Sequence, residues 1–245
     1  MNDNKRLLFL HIPKTAGISL FYALKKIYGN EYTLRYDVLS IENRNKYLSM
    51  SHDELYKYNF ITGHFTLPVF KNKNISNYKI ITILRDPIDR ELSAFFYVKT
   101  ETKHPLYEKY KDMDLYQYLD HFEKSGIRNF QCWQLCEKNS FEAAKEVIDN
   151  QIFLSATNDN LKAFYKILQY KLNLPEIEVM HKNKTSFRLS VKELHPDIVN
   201  RFRNLTEEDY KLYNYVKENF RNKIVKEHEE ILKASVSDIQ NSIDE

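Results

Sequence analysis

The segment His11-Ile12-Pro13-Lys14-Thr15-Ala16-Gly17-Ile18-Ser19 gathers the side chains of a small anion-binding loop. Lys14 brings a point charge, Thr15 and Ser19 bring hydroxyl donors, and the small Ala16 and Gly17 let an anion approach the backbone closely. The apolar run Arg6 to His11, ended by Pro13, predicts a buried strand ahead of it. Behind it, Leu20, Phe21, Leu24, Ile27 and Tyr28 recur at helical spacing, and Gly29 stops the helix. A loop between a strand and a helix N-terminus turns backbone N–H groups and the positive end of the helix dipole toward its ligand. The chemistry so placed is the binding of a phosphate-like oxyanion.

Other routes to function close early. The chain has only four glycines, Gly17, Gly29, Gly63 and Gly126, none within ten residues of another. Strict GxGxxG, GxxxxGK[ST] and GxSxG signatures are therefore absent. A zincin helix fails because Leu232 stands where the second His would follow His228-Glu229, and no EF-hand spacing occurs. Cys132 and Cys136 are too few for a disulfide framework or a zinc site; their spacing suits one helix face, as reduced, buried thiols.

The elements that must position the loop follow from pattern. Tyr78 to Leu84 is a β-branched apolar run, hence a second buried strand. Arg85 and Asp86 leave it, and Pro87 opens a helix with Asp86 as its cap. Asn59 to Thr62 predicts a short strand closed by Gly63-His64. From Asp114 to about Asp149 the pattern is helical, Ile152 to Leu154 is a short strand, and Leu161 to Leu172 a helix. Thr206-Glu-Glu-Asp209 reads as a helix start for Tyr210 to Phe220. Alternating strands and helices imply an α/β fold with a central parallel sheet flanked by helices. At 245 residues and 42% hydrophobic, the chain is expected to form one domain. Its core spans about 6–220, and a charged helical extension over about 221–245 packs back on it. Trp133, Phe95, Phe96 and Tyr97 sit at helical spacing and are expected in the core. A net charge of +3 spread along the chain argues against a nucleic-acid partner. No apolar stretch is long enough for a signal peptide or a transmembrane segment, so a cytoplasmic location is expected.

LFLHIPKTAGISL closely resembles the 5′-phosphosulfate loop of the carbohydrate-type sulfotransferases, the family that includes the heparan-sulfate enzymes, where HIPKTAGTS is usual. ITILRDPIDRELSAFFY resembles that family's 3′-phosphate motif, RDPxxRxxSxYY. Both motifs come in family order on a strand–loop–helix, and weaker likeness extends to FITGHF, IRNFQCWQL, FLSATNDNL and MHKNKTSF. The resemblance implies a fold related to the P-loop nucleotide kinases. It also implies a sulfotransferase that takes its sulfuryl group from 3′-phosphoadenosine 5′-phosphosulfate (PAPS) and leaves adenosine 3′,5′-bisphosphate. By the same resemblance Lys14, Thr15, Ala16, Gly17, Ile18 and Ser19 hold the 5′-phosphate, with Lys14 reaching the bridging oxygen. Arg85 and Ser93 hold the 3′-phosphate, Lys184 and Thr185 add contacts from a late loop, and His64 is the general base. Ile18 stands where the family usually has Thr, which removes one hydroxyl donor from the cradle. A sulfuryl group carries less charge than a terminal phosphoryl, so Lys14 is expected to suffice without a metal. The acceptor implied is a hydroxyl on a carbohydrate. Two other readings stay open: a non-catalytic module that binds adenosine bisphosphate, and a small-molecule kinase using the same loop topology.

Overall fold

The computed structural model describes residues 6–37, 45, 49–178 and 189–243, with side chains through residue 225. Five strands, β1 (Leu7–Leu10), β2 (Thr33–Asp37), β3 (Phe60–His64), β4 (Lys79–Leu84) and β5 (Ile152–Thr157), form one sheet in the order β2-β3-β1-β4-β5. Every pairing is parallel. Central β1 aligns Leu7 with both Phe60 of β3 and Lys79 of β4. A parallel sheet hides both faces, which is why β1 is apolar at every position.

Helices cover both faces. Leu7 and Phe9 of β1 join Leu20, Phe21 and Leu24 of α1 (Gly17–Tyr28) in one cluster. Leu8 and Leu10 face the other way, into the cluster that holds the later helices of the sheet's second side. Between the sheet elements run the short turn α2 (His52–Leu55) and α3 (Pro87–Thr100). After α3 come the turn α4 (Tyr107–Tyr110), α5 (Leu115–Ser125), α6 (Phe130–Cys136) and α7 (Phe141–Asn150). Cys132 and Leu135 of α6 and Val147 and Ile148 of α7 pack on the Leu8–Leu10 side. Phe164 and Leu168 of α8 (Leu161–Leu172) pack beside α1. A third cluster lies off the sheet. Ile88, Leu92 and Phe95 of α3 meet Tyr118, Leu119 and Phe122 of α5 and Ile198, Phe202 and Leu205 of α9 (Pro196–Leu205). Each such side chain contributes roughly 1.5–3 kcal/mol when fully buried.

Several expectations need correction. Strand β2 is absent from the apolar pattern because it is an edge strand, TLRYD, with one side open. His64 is the last residue of β3 rather than a residue beyond it. Helix α9 is hidden by its charge, with Asp197, Arg201 and Arg203 interrupting the pattern; the residues it buries are Ile198, Phe202 and Leu205. The C-terminal stretch is one helix, α10 (Glu207–Ile243), continuous with the segment read as Tyr210 to Phe220. Its start is also capped differently. Thr206 Oγ1 donates to the Phe202 carbonyl, while Asn129 Oδ1 accepts the N–H groups of Glu208 and Asp209. Cys132 and Cys136 are free thiols, the first buried and its pKa pushed up by that burial.

Candidate active site

The loops after β1 and β4 diverge. β1 connects through α1 toward β2 on one side of the sheet order, and β4 leads to β5 on the other. Adjacent strands whose connections part in this way leave a crevice beyond their C-terminal ends, the usual binding place of an open α/β sheet. Thr82 Oγ1 donates to the Leu10 carbonyl at 3.0 Å, tying the two strands just below it.

The loop after β1 is built as an anion cradle. Lys14 and Ala16 both adopt positive φ, 72° and 69°, on either side of Thr15. Such backbone kinks turn successive N–H groups to one side. Helix α1 begins with no side-chain cap and no acidic residue in its first turn. Its first N–H groups and its dipole are therefore left for a ligand. Helix α3 contrasts with it: Asp86 accepts from the Asp89 N–H at 3.0 Å, as the Asp-Pro pair predicted.

The loop residues divide their work. Thr15 is buried and donates its hydroxyl to the Ile12 carbonyl at 2.9 Å, closing the turn, so its side-chain proton is already taken. Ile18 packs against the α1 cluster, which accounts for an aliphatic side chain at that position. Ser19 is half-buried and Ala16 exposed. Gly17 serves packing more than ligand approach: a Cβ there would lie 2.4 Å from His11 Cδ2 and 2.7 Å from Phe9 Cζ. Lys14 Nζ lies 3.9 Å from the centre of the Tyr97 ring, a cation–π contact.

Arg85 closes the crevice from the β4 side. Its Nη1 donates to the Lys14 carbonyl at 2.8 Å, so the two expected phosphate-binding segments touch. Its Nε is buried and has no hydrogen-bond partner among the described residues. Ser93 is buried on α3. Lys184 and Thr185 lie outside the described residues.

His64, half-buried at the end of β3, stands 4.7 Å from His11, ring centre to ring centre. His11 is buried and stacks on Phe9 at 5.1 Å. Its pKa is held well below the usual histidine value, chiefly by burial and then by the charges of His64, Arg35 and Lys14. A neutral His11 against the start of α1 is thus a structural ring, and it links His64 to the loop.

Some participants escaped the sequence reading. Gln131 of α6 is fully buried and holds the Arg85 backbone. Arg90 is buried, pairs with Glu91, lies 4.4 Å over the Phe130 ring and reaches the Pro13 carbonyl at 3.5 Å. Tyr97 and Trp133 are 39% and 40% exposed, so they leave the core in which Phe95 does lie. The signal for Gln131 was a polar side chain among the apolar positions of FQCWQLC. Among the described residues no group of three or more His, Cys, Asp or Glu side chains is placed to hold a metal ion.

Residues 1–216 match the profile of the sulfotransferase family, family 2 of that class. The chain belongs to this family. Its five-stranded parallel sheet flanked by helices agrees with the sulfotransferase fold, and sulfuryl transfer is the reaction class of its domain. No curated protein matches the chain. Among the described residues, no helix of this sulfotransferase is long and apolar enough to cross a membrane.

Proposed function

We propose that this sulfotransferase transfers a sulfuryl group from PAPS to a hydroxyl of a carbohydrate acceptor, in the cytoplasm. One observation carries the reading: the Lys14 loop that leads into the start of α1 is tied at 2.8 Å, through the Lys14 carbonyl, to an arginine at the neighbouring strand end. The two sides of the site offer one cationic partner to each of the donor's anionic ends. The left-handed loop with Lys14 suits a 5′-phosphosulfate, and Arg85, whose buried Nε has no partner among the described residues, suits a 3′-phosphate. Arginine's planar fork donates in pairs to phosphate oxygens.

The donor supplies an activated sulfuryl group whose leaving group is a phosphate. Lys14 neutralises charge that grows on that phosphate, an electrostatic stabilisation by a cation already in place. Backbone N–H groups of the loop over residues 14–19 and the Ser19 hydroxyl complete the cradle. Arg85 and Ser93 grip the 3′-phosphate, with Lys184 and Thr185 adding to it. His64 takes the proton of the acceptor hydroxyl at its imidazole, because a neutral hydroxyl is a poor nucleophile. Its neighbour His11, kept neutral by burial, adds no second positive charge beside it.

Labelled-sulfuryl transfer from PAPS to a panel of glycan, phenol and lipid acceptors tests the reading. Turnover on a glycan without added metal is expected. Tight binding of adenosine 3′,5′-bisphosphate with no transfer to any acceptor would favour a binding module instead, and magnesium-dependent ATP consumption a kinase.

A further inference from the structure

We infer that Gln131 is a positioning residue of the donor site, acting through Arg85; this rests on reading Arg85 as the 3′-phosphate ligand. Arg85 is the first residue beyond β4. There the Gln131 carboxamide takes both of its backbone polar groups: Oε1 accepts the Arg85 N–H at 3.0 Å, and Nε2 donates to the Arg85 carbonyl at 2.9 Å. One side chain thereby extends the strand's hydrogen bonding past its last residue. A carboxamide presents an acceptor and a donor side by side for this purpose.

Gln131 is itself locked. Asp209 Oδ2 accepts the Gln131 N–H at 3.0 Å and Oδ1 the Cys132 N–H at 2.8 Å. Asn129, just ahead of α6, returns the favour by accepting the Glu208 and Asp209 N–H groups at 3.0 and 3.3 Å. Reciprocal caps between α6 and α10 therefore fix the carboxamide, the carboxamide fixes the Arg85 backbone, and the Arg85 guanidinium meets the Lys14 carbonyl. Arginine placement sets phosphate discrimination because bidentate contacts are sensitive to geometry. A residue serving packing alone in this buried place would be apolar, as its helix neighbours Cys132 and Leu135 are.

The test titrates adenosine 3′,5′-bisphosphate and adenosine 5′-monophosphate calorimetrically into the full chain and its Gln131→Met and Gln131→Glu variants. Wild type should prefer the bisphosphate, and Gln131→Met should lose about tenfold of that preference, the size of a charge-assisted contact. Gln131→Glu, which keeps the acceptor for the Arg85 N–H, should lose less, and monophosphate affinity should stay nearly constant in both. A folded variant with the wild-type ratio overturns the inference, as does equal weakening toward both nucleotides, the mark of general loosening. Amide exchange in the wild type decides the matter even where a variant does not fold. The Arg85 N–H should exchange slowly, and more slowly still with the bisphosphate but not the monophosphate; fast exchange at Arg85 overturns the inference. A wild type without any preference overturns the donor reading itself. A wild-type preference that persists in the variants removes only the role of Gln131.

Discussion

Lys14 and His64 have separable tasks, so their removal should leave different traces. Lys14→Ala should collapse turnover while nucleotide affinity falls modestly, because the loop's N–H groups remain; kcat and nucleotide Kd measured together check this. His64→Ala should lower kcat by ~10²–10⁴ if the imidazole is the base, and a folded variant at the wild-type rate would move that role elsewhere. His11 makes a prediction about pH. Its folded pKa lies below the ordinary value near 6.5, so its contribution to stability is full above about pH 6.5 and is lost as pH falls below it. Asp209 runs the other way. Burial pushes its carboxyl up to about 6 against the pull of the Gln131 and Cys132 N–H groups, so its contribution grows as pH falls through that value. Thermal melts of wild type and His11→Asn at pH 7.5 and 5.5 separate the two. Wild type should lose more stability on acidification than the variant, and an equal loss would remove His11 from the explanation.

At the scale of elements, the start of α1 depends on what Gly17 omits. Gly17→Ala should destabilise by ~1–3 kcal/mol through overpacking and lower turnover, since the displaced ring is His11, between loop and base. Gly126→Ala is the control: nothing lies within 4 Å of its Cβ, and only its φ of 71° is strained. It should cost about 1 kcal/mol without touching turnover; urea midpoints and rates on both variants check the pair. These elements also show what could be read from residues. The strand–loop–helix around Lys14 and the Asp86-Pro87 start of α3 were legible because both rest on local signals, apolar runs and capping chemistry. The adjacency of Lys14 and Arg85 was legible only through motif resemblance. The cap on α10 was misread, since Thr206 satisfies the turn before it and Asn129 supplies the cap from 79 and 80 residues away. Gln131 and Tyr97 acquire their roles from tertiary contacts, which no periodicity encodes. Edge strand β2 hid because one side of it is open, and α9 because charged residues interrupt its apolar stripe.

At the scale of the whole molecule, two segments 71 residues apart in sequence meet at the C-terminal end of the sheet. A ligand that bridges them stabilises the fold by mass action. At 100 times Kd that is about 2.7 kcal/mol, or a Tm rise of about 5–10 °C for a chain this long. The decisive experiment is thermal-shift titration of wild type and Arg85→Ala with adenosine 3′,5′-bisphosphate and adenosine 5′-monophosphate. Wild type should bind the bisphosphate at least about tenfold more tightly, the worth of a charge-assisted phosphate contact, and Arg85→Ala should lose most of that preference. Equal affinities in wild type, or an undiminished preference in folded Arg85→Ala, would contradict a shared grip on one nucleotide by the two strand ends.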